Sequence, residues 1–211
     1  MAHPRFVPDG RTDLYGFASD VRTAANLLRA GLRVLQFRAK EMDDRRFREA
    51  AGAVLAEVRK FPGAVLIVND RVDIALEIGA DGVHVGPEDE PAEVVRARIP
   101  ADFILGVSAR TAERARAAER AGADYLGVGA VFPTATKADA KTIGPEGLKT
   151  AMRATALPVV AIGGIAPENI RRVRNAGCRY AAVLSAINDA PDIPERVREF
   201  RRILKRGRGD G

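Results

Sequence analysis

Short apolar runs alternate with amphipathic segments along the whole chain. The runs are rich in β-branched residues and end at polar residues, which is typical of buried strands. The segments between them place apolar residues at helical spacing. The pattern predicts eight strands, at Leu14–Phe17, Val34–Arg38, Val65–Val68, Gly82–Val85, Ile104–Val107, Tyr125–Gly129, Val159–Ile162 and Tyr180–Leu184. It predicts a helix after each strand, at Val21–Ala30, Asp43–Lys60, Arg71–Ile78, Pro91–Ile99, Thr111–Ala121, Pro145–Ala154, Pro167–Ala176 and Ile193–Lys205.

Glycines follow four of these helices, at Gly31, Gly79, Gly122 and Gly177. Glycine fits the left-handed backbone conformation that ends a helix. Each step from one of these glycines to the next contains two strands and two helices, so the chain order predicts eight parallel strands. That number closes into a single (β/α)8 TIM barrel, an α/β fold, over residues 1–211, with about residues 1–12 and 206–211 as loose termini. An open doubly wound sheet is the alternative.

Composition narrows the function classes. The chain is 46% hydrophobic, has one cysteine, Cys178, and carries a net charge of +6. It has no apolar run long enough to span a membrane and no secretory signal at its start, so we predict a cytoplasmic protein with no membrane partner. The excess of positive charge suits a small anionic ligand. The basic residues are scattered among acids and there is no tryptophan, so no nucleic-acid partner is predicted. Composition leaves open whether the chain forms an oligomer.

Two acidic residues follow neighbouring strands, Asp70 after the third and Asp89 shortly after the fourth. Parallel strands place their carboxyl ends at one edge, so both side chains are expected to face one pocket. Two adjacent carboxylates repel unless a cation or a proton lies between them. Mg²⁺ that carries substrate phosphates is the natural occupant of such a site. The alternative is that Asp70 caps the next helix and Asp89 lies in a solvated turn.

Basic and hydroxyl side chains end the second and fifth strands. Alternation places Gln36, Arg38 and Lys40 on one side of the second strand, where a bound phosphate would account for two cations. The alternative is that Arg38 and Lys40 pair with acids in the barrel mouth. Ser108 ends the fifth strand and could donate to a ligand oxygen or cap the following helix. His84 lies within the fourth strand and is interpreted as structural.

The longest connection follows the sixth strand, at residues 131–144, and places hydroxyl groups and Lys137 in a row. It is interpreted as a lid that holds phosphate, with a merely flexible loop as the alternative. Gly163 and Gly164 end the seventh strand, and Ser185 follows the eighth. The loops after strands seven and eight are the usual phosphate site of barrels. The sequence thus predicts a diphosphate half-site with Mg²⁺ and a monophosphate half-site on loops six to eight.

The motifs resemble those of the thiamine phosphate synthase family over nearly the whole chain. They are Gln36-x-Arg38-x-Lys40, Asn69-Asp70-Arg71-x-Asp73, Gly79-Ala80-Asp81-Gly82-Val83-His84-x-Gly86-x-Glu88-Asp89, Gly106-Val107-Ser108, Gly127-Val128-Gly129-x-Val131-Phe132-Pro133-Thr134-x-Thr136-Lys137 and Ala161-Ile162-Gly163-Gly164-Ile165. The resemblance implies a barrel transferase that joins a pyrimidine methyl diphosphate to a thiazole ethyl phosphate and releases diphosphate.

The resemblance also implies roles for individual residues. Asp70 and Asp89 are similar to the ligands of the Mg²⁺ cofactor. The expected contacts of the pyrimidine diphosphate are Gln36, Arg38, Lys40, Asn69, Ser108 and Lys137. Within that set, the expected catalytic residues are Arg38, Lys40, Ser108 and Lys137. The expected contacts of the thiazole phosphate are Thr134, Ala135, Thr136, Gly164, Leu184 and Ser185.

Some positions depart from the family pattern. Arg110 stands where the family usually has histidine, and Ala39 and Pro87 replace the commoner aspartate and glutamine. The related thiazole tautomerase, an isomerase on the same barrel, is the first alternative. It usually lacks the paired metal acids and uses a histidine near the position of Arg110, so the chain favours the synthase. A non-catalytic phosphate-binding barrel is the second alternative.

Overall fold

The computed structural model describes Phe6, residues 14–134 and residues 141–205. Within these residues eight strands close into one barrel in chain order, and every neighbouring pair is parallel. The predicted barrel is confirmed. The strands are β1 (Leu14–Ala18), β2 (Val34–Phe37), β3 (Val65–Asn69), β4 (Gly82–Val85), β5 (Ile104–Ser108), β6 (Tyr125–Val128), β7 (Val159–Ile162) and β8 (Tyr180–Ala182).

Helices follow the strands on the outside of the barrel. They are α1 (Val21–Arg29), α2 (Asp44–Val58), α3 (Val72–Glu77), α4 (Ala92–Arg98), α5 (Ala112–Arg120), α6 (Gly144–Arg153), α7 (Ile170–Asn175), α8 (Ser185–Asn188) and α9 (Ile193–Lys205). The four glycines predicted to end helices all have positive φ, between 69° and 92°. No helix among the described residues is long and apolar enough to cross a membrane.

The eighth strand and the residues after it differ from the sequence prediction. The strand was expected to continue to Leu184 but ends at Ala182, and Ser185 begins the short helix α8. Helix α7 also starts at Ile170, three residues later than predicted. Strand β8 and helix α7 are therefore shorter than predicted, whereas the short helix α8 was not predicted.

Alternation along each strand separates two apolar layers. One set of side chains packs between the strands and the surrounding helices, for example Val83 and Val85 of β4. The other set fills the barrel interior, with Tyr15, Phe17, Val34, Val65, Ile67, Ile104, Tyr125, Val160, Tyr180 and Ala182. Phe6 belongs to this interior cluster and is only 2% exposed. Phe6 belongs to the amino-terminal segment that was predicted to be loose. The other residues of the two predicted loose termini, 1–5, 7–12 and 206–211, lie outside the described residues.

Two aspartates, each two residues after a helix-ending glycine, bind the backbone near the amino-terminal end of the preceding strand in the barrel. Asp81 accepts a hydrogen bond from the backbone N–H of Leu66 at 2.8 Å and pairs with Arg59 at 2.7 Å. Asp124 repeats the arrangement, accepting from the N–H of Leu105 at 2.8 Å and pairing with Arg96 at 3.3 Å. Both aspartates lie at the amino-terminal edge of the barrel, whereas the predicted site lies at the carboxyl edge. Both sets of contacts therefore serve stability rather than chemistry.

Candidate active site

A pocket opens at the carboxyl ends of the strands and brings both predicted half-sites together. Eight of the residues predicted for substrate contact line this one pocket: Gln36, Arg38, Asn69, Ser108, Thr134, Gly164, Leu184 and Ser185. They come from six different strand ends, which converge because all strands run the same way round the barrel. Three further predicted residues, Ala135, Thr136 and Lys137, lie outside the described residues.

The two predicted metal ligands lie together close to Asn69 and Pro87, which line the pocket; the aspartates themselves and Lys40 are not among the lining residues. The backbone N–H of Asp70 donates to the carbonyl of His84 at 2.9 Å, which continues the β3–β4 ladder by one residue. Asp70 has a φ of 64°, an uncommon conformation for a residue other than glycine. The backbone N–H of Gly86 donates to Oδ2 of Asp89 at 2.7 Å and holds that carboxyl group in the turn after β4. The expectation that Asp70 and Asp89 approach each other agrees with this geometry, since the two carboxyl groups interact directly.

The two neighbouring carboxyl groups favour a bound proton or cation over two free charges. Burial and then the adjacent Asp89 carboxyl group raise the pKa of Asp70 to about 6, against the opposing effect of Lys40. The Nζ of Lys40 lies 3.8 Å from Oδ2 of Asp70. Thus Lys40 does pair with an acid, as the alternative interpretation of this residue proposed. One ammonium group is insufficient to return the pKa of Asp70 to its ordinary range, so the pair still favours a bound cation or proton.

The donor set fits Mg²⁺. This ion prefers octahedral oxygen ligands and is commonly bound by one or two carboxylates, with substrate phosphates and waters completing the shell. No group of three or more His, Cys, Asp or Glu side chains that could hold a metal occurs in the described part of the chain. Asp70 and Asp89 therefore match a site that is completed by the substrate, rather than one built from protein ligands alone.

The opposite wall of the pocket is built by the loops after β6 and β7. The N–H of Val131 donates to the carbonyl of Ile162 at 2.9 Å, and the N–H of Phe132 donates to the carbonyl of Gly163 at 3.0 Å. These bonds hold Thr134 and Gly164 on the same wall. Gly164 has a φ of 64°, and a Cβ there would lie 2.2 Å from the carbonyl oxygen of Pro133. The residue must be glycine because the two loops touch, in addition to any role in binding phosphate.

Several pocket residues were not predicted as site residues. The rings of Tyr15 and Tyr125 line the floor, and Arg110 and Arg114 line the mouth. Arg110 was noted only as a departure from the family pattern. It lies in the loop before α5, and Arg114 lies in the first turn of that helix.

His84 also faces the pocket, although it was interpreted as structural. Its Nε2 lies 2.9 Å from Oγ of Ser108, and its Nδ1 lies 3.0 Å from the hydroxyl of Tyr125. The sequence signal was its place in β4: alternation directs Gly82 and His84 to the barrel interior, since Val83 and Val85 pack outward against helices. The residue thus supports the site from within the barrel.

Fold and site together define a (β/α)8 barrel of the kind that binds phosphorylated small molecules at the carboxyl ends of its strands. Residues 7–187 match a protein-family model that is described as "Thiamine monophosphate synthase". The chain belongs to this family, which confirms the resemblance found in the sequence.

Individual relatives agree with the family match. The thiamine-phosphate synthase of Moorella thermoacetica is 43% identical over 199 residues, covering 94% of each chain. That of Ruminiclostridium cellulolyticum is 47% identical over 174 residues, covering 82% of each. Among solved structures, thiamine phosphate pyrophosphorylase from Pyrococcus furiosus superposes with a TM-score of 0.86 at 38% identity, covering 95% of this chain and 98% of the other. The similarity spans the whole barrel and both walls of the pocket.

Proposed function

We propose that this chain condenses 4-amino-2-methyl-5-pyrimidinylmethyl diphosphate with 4-methyl-5-(2-phosphoethyl)thiazole, giving thiamine phosphate and diphosphate. The names of its relatives support a transferase of thiamine biosynthesis. The single observation that carries the proposal is the cluster of Asp70, Asp89 and Lys40. It lies at strand ends whose neighbouring residues Arg38 and Asn69 line the pocket that Gly164 and Ser185 also border. A cytoplasmic location, as composition predicts, is part of the same proposal.

The diphosphate half-site would be formed by residues that follow β2, β3 and β4. Asp70 and Asp89 would hold Mg²⁺, which supplies charge neutralisation at the departing diphosphate. Arg38 lines the pocket and Lys40 stands beside Asp70, so both cations lie close to where negative charge develops. Lys137 is proposed to add a further cation from the loop after β6. Stabilising charge that builds on the leaving group lowers the barrier to breaking the carbon–oxygen bond.

The rest of the pocket would hold the two rings. The aminopyrimidine can stabilise a methylene cation, so a dissociative displacement is expected, and the thiazole nitrogen captures that cation. No protein nucleophile is needed. Gln36, Asn69 and Ser108 would orient the pyrimidine, while the polar backbone and hydroxyls around Thr134, Gly164 and Ser185 would bind the thiazole phosphate. The protein contributes mainly position and charge.

Product formation tests the proposal. Purified protein is mixed with both substrates and Mg²⁺, and thiamine phosphate is measured by mass spectrometry against diphosphate release. We expect the two products in equal amounts, and no thiamine phosphate when either substrate is left out. Asp89→Ala is expected to lose about 100-fold or more of the rate, whereas Glu88→Gln, an equal change of charge at the exposed neighbouring residue, is expected to stay near wild type. An inactive wild-type protein that is folded would refute the proposal.

A further inference from the structure

A chain of hydrogen bonds crosses the barrel interior beneath the pocket and joins five strands. Nε2 of Gln36 donates to the hydroxyl of Tyr15 at 2.9 Å, and that hydroxyl lies 3.0 Å from the hydroxyl of Tyr125. Tyr125 reaches Nδ1 of His84 at 3.0 Å, and Nε2 of His84 reaches Oγ of Ser108 at 2.9 Å. The chain therefore begins at one residue predicted to contact the pyrimidine diphosphate and ends at another.

The barrel makes room for this chain. A Cβ on Gly106 would lie 2.3 Å from the ring of Tyr125 and 2.5 Å from Nδ1 of His84, and a Cβ on Gly127 would lie 3.0 Å from Cε1 of His84. The ring of Phe6 stacks on that of Tyr125 with centroids 3.9 Å apart and an angle of 8°. Glycines on two strands and a stacked ring thus hold Tyr125 and His84 in one arrangement, which is more than packing of an ordinary core requires.

Counting protons gives the chain of hydrogen bonds a direction. The Tyr15 hydroxyl accepts from Gln36, so its single proton is available for Tyr125. Burial raises the pKa of both tyrosines well above the usual range, so both hydroxyls keep their protons. Tyr125 then donates to a bare Nδ1 of His84, and Nε2–H donates to Ser108. In the opposite direction the Tyr15 oxygen would accept twice and its own buried proton would lack an acceptor within the chain, which is unfavourable.

We infer that Tyr125 and His84 are positioning residues that fix Ser108 as a hydrogen-bond donor toward the pocket. With its oxygen accepting from His84, Ser108 keeps its own proton to give to a ligand. A diphosphate offers only acceptors at neutral pH, so a fixed donor matches it, and donors to charged groups form the stronger hydrogen bonds. This inference rests on the proposed function, because it takes the pyrimidine diphosphate as the ligand that Ser108 meets.

The tautomer of His84 tests the inference without any substrate. The chain has two histidines, His3 and His84, so nitrogen-15 NMR of histidine-labelled full-length protein is assigned with one His3→Ala variant. We expect the proton of the neutral ring on Nε2 and a bare Nδ1. In Tyr125→Phe the ring is expected to populate both tautomers, whereas Tyr180→Phe, a matched change in the same interior cluster but outside the chain of hydrogen bonds, is expected to leave the signal unchanged. A proton on Nδ1 in the wild type would overturn the inference.

Kinetics give the second test. Glutamine at position 84 can offer a fixed N–H to Ser108 and a carbonyl to Tyr125, whereas leucine offers neither. We expect His84→Leu to lose about tenfold or more in kcat/KM for the pyrimidine diphosphate with little change in KM for the thiazole phosphate, and His84→Gln to recover most of that loss. Equal losses in both variants would overturn the inference. Failure of the wild type to release diphosphate would instead remove the proposed function and leave the tautomer result standing.

Discussion

Replacing Asp70 with asparagine is expected to stabilise the metal-free protein at neutral and alkaline pH. The folded environment raises the pKa of Asp70 from 3.8 to about 6, chiefly by burial and then through Asp89. The folded state therefore binds this proton more tightly than the unfolded chain does. The stability that this group contributes is fully present below about pH 3.8 and is lost as the pH rises through about 6.

The magnitude follows from the size of the pKa change. A rise of roughly two pKa units corresponds to about 3 kcal/mol as an upper limit. The side chain is 26% exposed, so solvent screening reduces the effect to about 1–2 kcal/mol. Asparagine tolerates the left-handed backbone that Asp70 adopts, so the substitution adds little strain. For a domain of this size that gain is expected to raise Tm by about 2–8 °C at pH 8.

Thermal unfolding between pH 4 and pH 8, with and without Mg²⁺, measures this prediction. Without the metal, Asp70→Asn is expected to match wild type at pH 4 and to exceed its Tm at pH 8. With millimolar Mg²⁺, wild type is expected to gain stability at pH 8 while Asp70→Asn gains none. Glu88→Gln, which removes a nearby exposed charge, serves as the control and is expected to behave as wild type. An Asp70→Asn protein that is less stable than wild type at pH 8 without Mg²⁺ would refute the reasoning.

Three further substitutions test other parts of the molecule. Arg38→Ala removes a cation from the pocket wall, and steady-state kinetics are expected to show a loss of about tenfold or more in kcat/KM for the pyrimidine diphosphate; unchanged kinetics would place the diphosphate elsewhere. Ser185→Ala is expected to raise KM for the thiazole phosphate by about three- to tenfold while sparing the other substrate, and equal KM values would remove Ser185 from that half-site. Asp124→Ala removes the acceptor of the Leu105 N–H and one partner of Arg96, which keeps its hydrogen bonds to the carbonyls of Pro100 and Phe103. Denaturant unfolding is therefore expected to show a loss of about 1–2 kcal/mol; an unchanged stability would contradict the assigned role.

The barrel was predictable because its signals are local. Each strand is a short apolar run, and glycines that require positive φ end four helices, as the backbone of Gly31 and Gly122 shows. Helix α8 was missed because four residues carry too little periodicity to mark a helix. The burial of Phe6 was missed for a different reason: it depends on a ring contact with Tyr125, far away in sequence.

The site was predictable to the extent that strand ends identify it. Asp70, Arg38 and Ser108 could be placed because parallel strands share one edge. The role of His84 could not, since it depends on a contact with Tyr125, 41 positions away. Gly164 shows a second limit. Its substitution by valine would place a side chain against the carbonyl of Pro133, so a weaker thiazole phosphate affinity in Gly164→Val would not separate phosphate binding from damage to the loop.

The dependence of diphosphate release on Mg²⁺ tests the central claim most directly. Wild-type protein and both substrates are followed by continuous detection of diphosphate while free Mg²⁺ is varied from chelated to millimolar concentration. We expect release that saturates with Mg²⁺, stops on chelation and nearly vanishes in Asp70→Asn. Release at the same rate with and without the metal, or in the absence of either carboxylate, would contradict the claim.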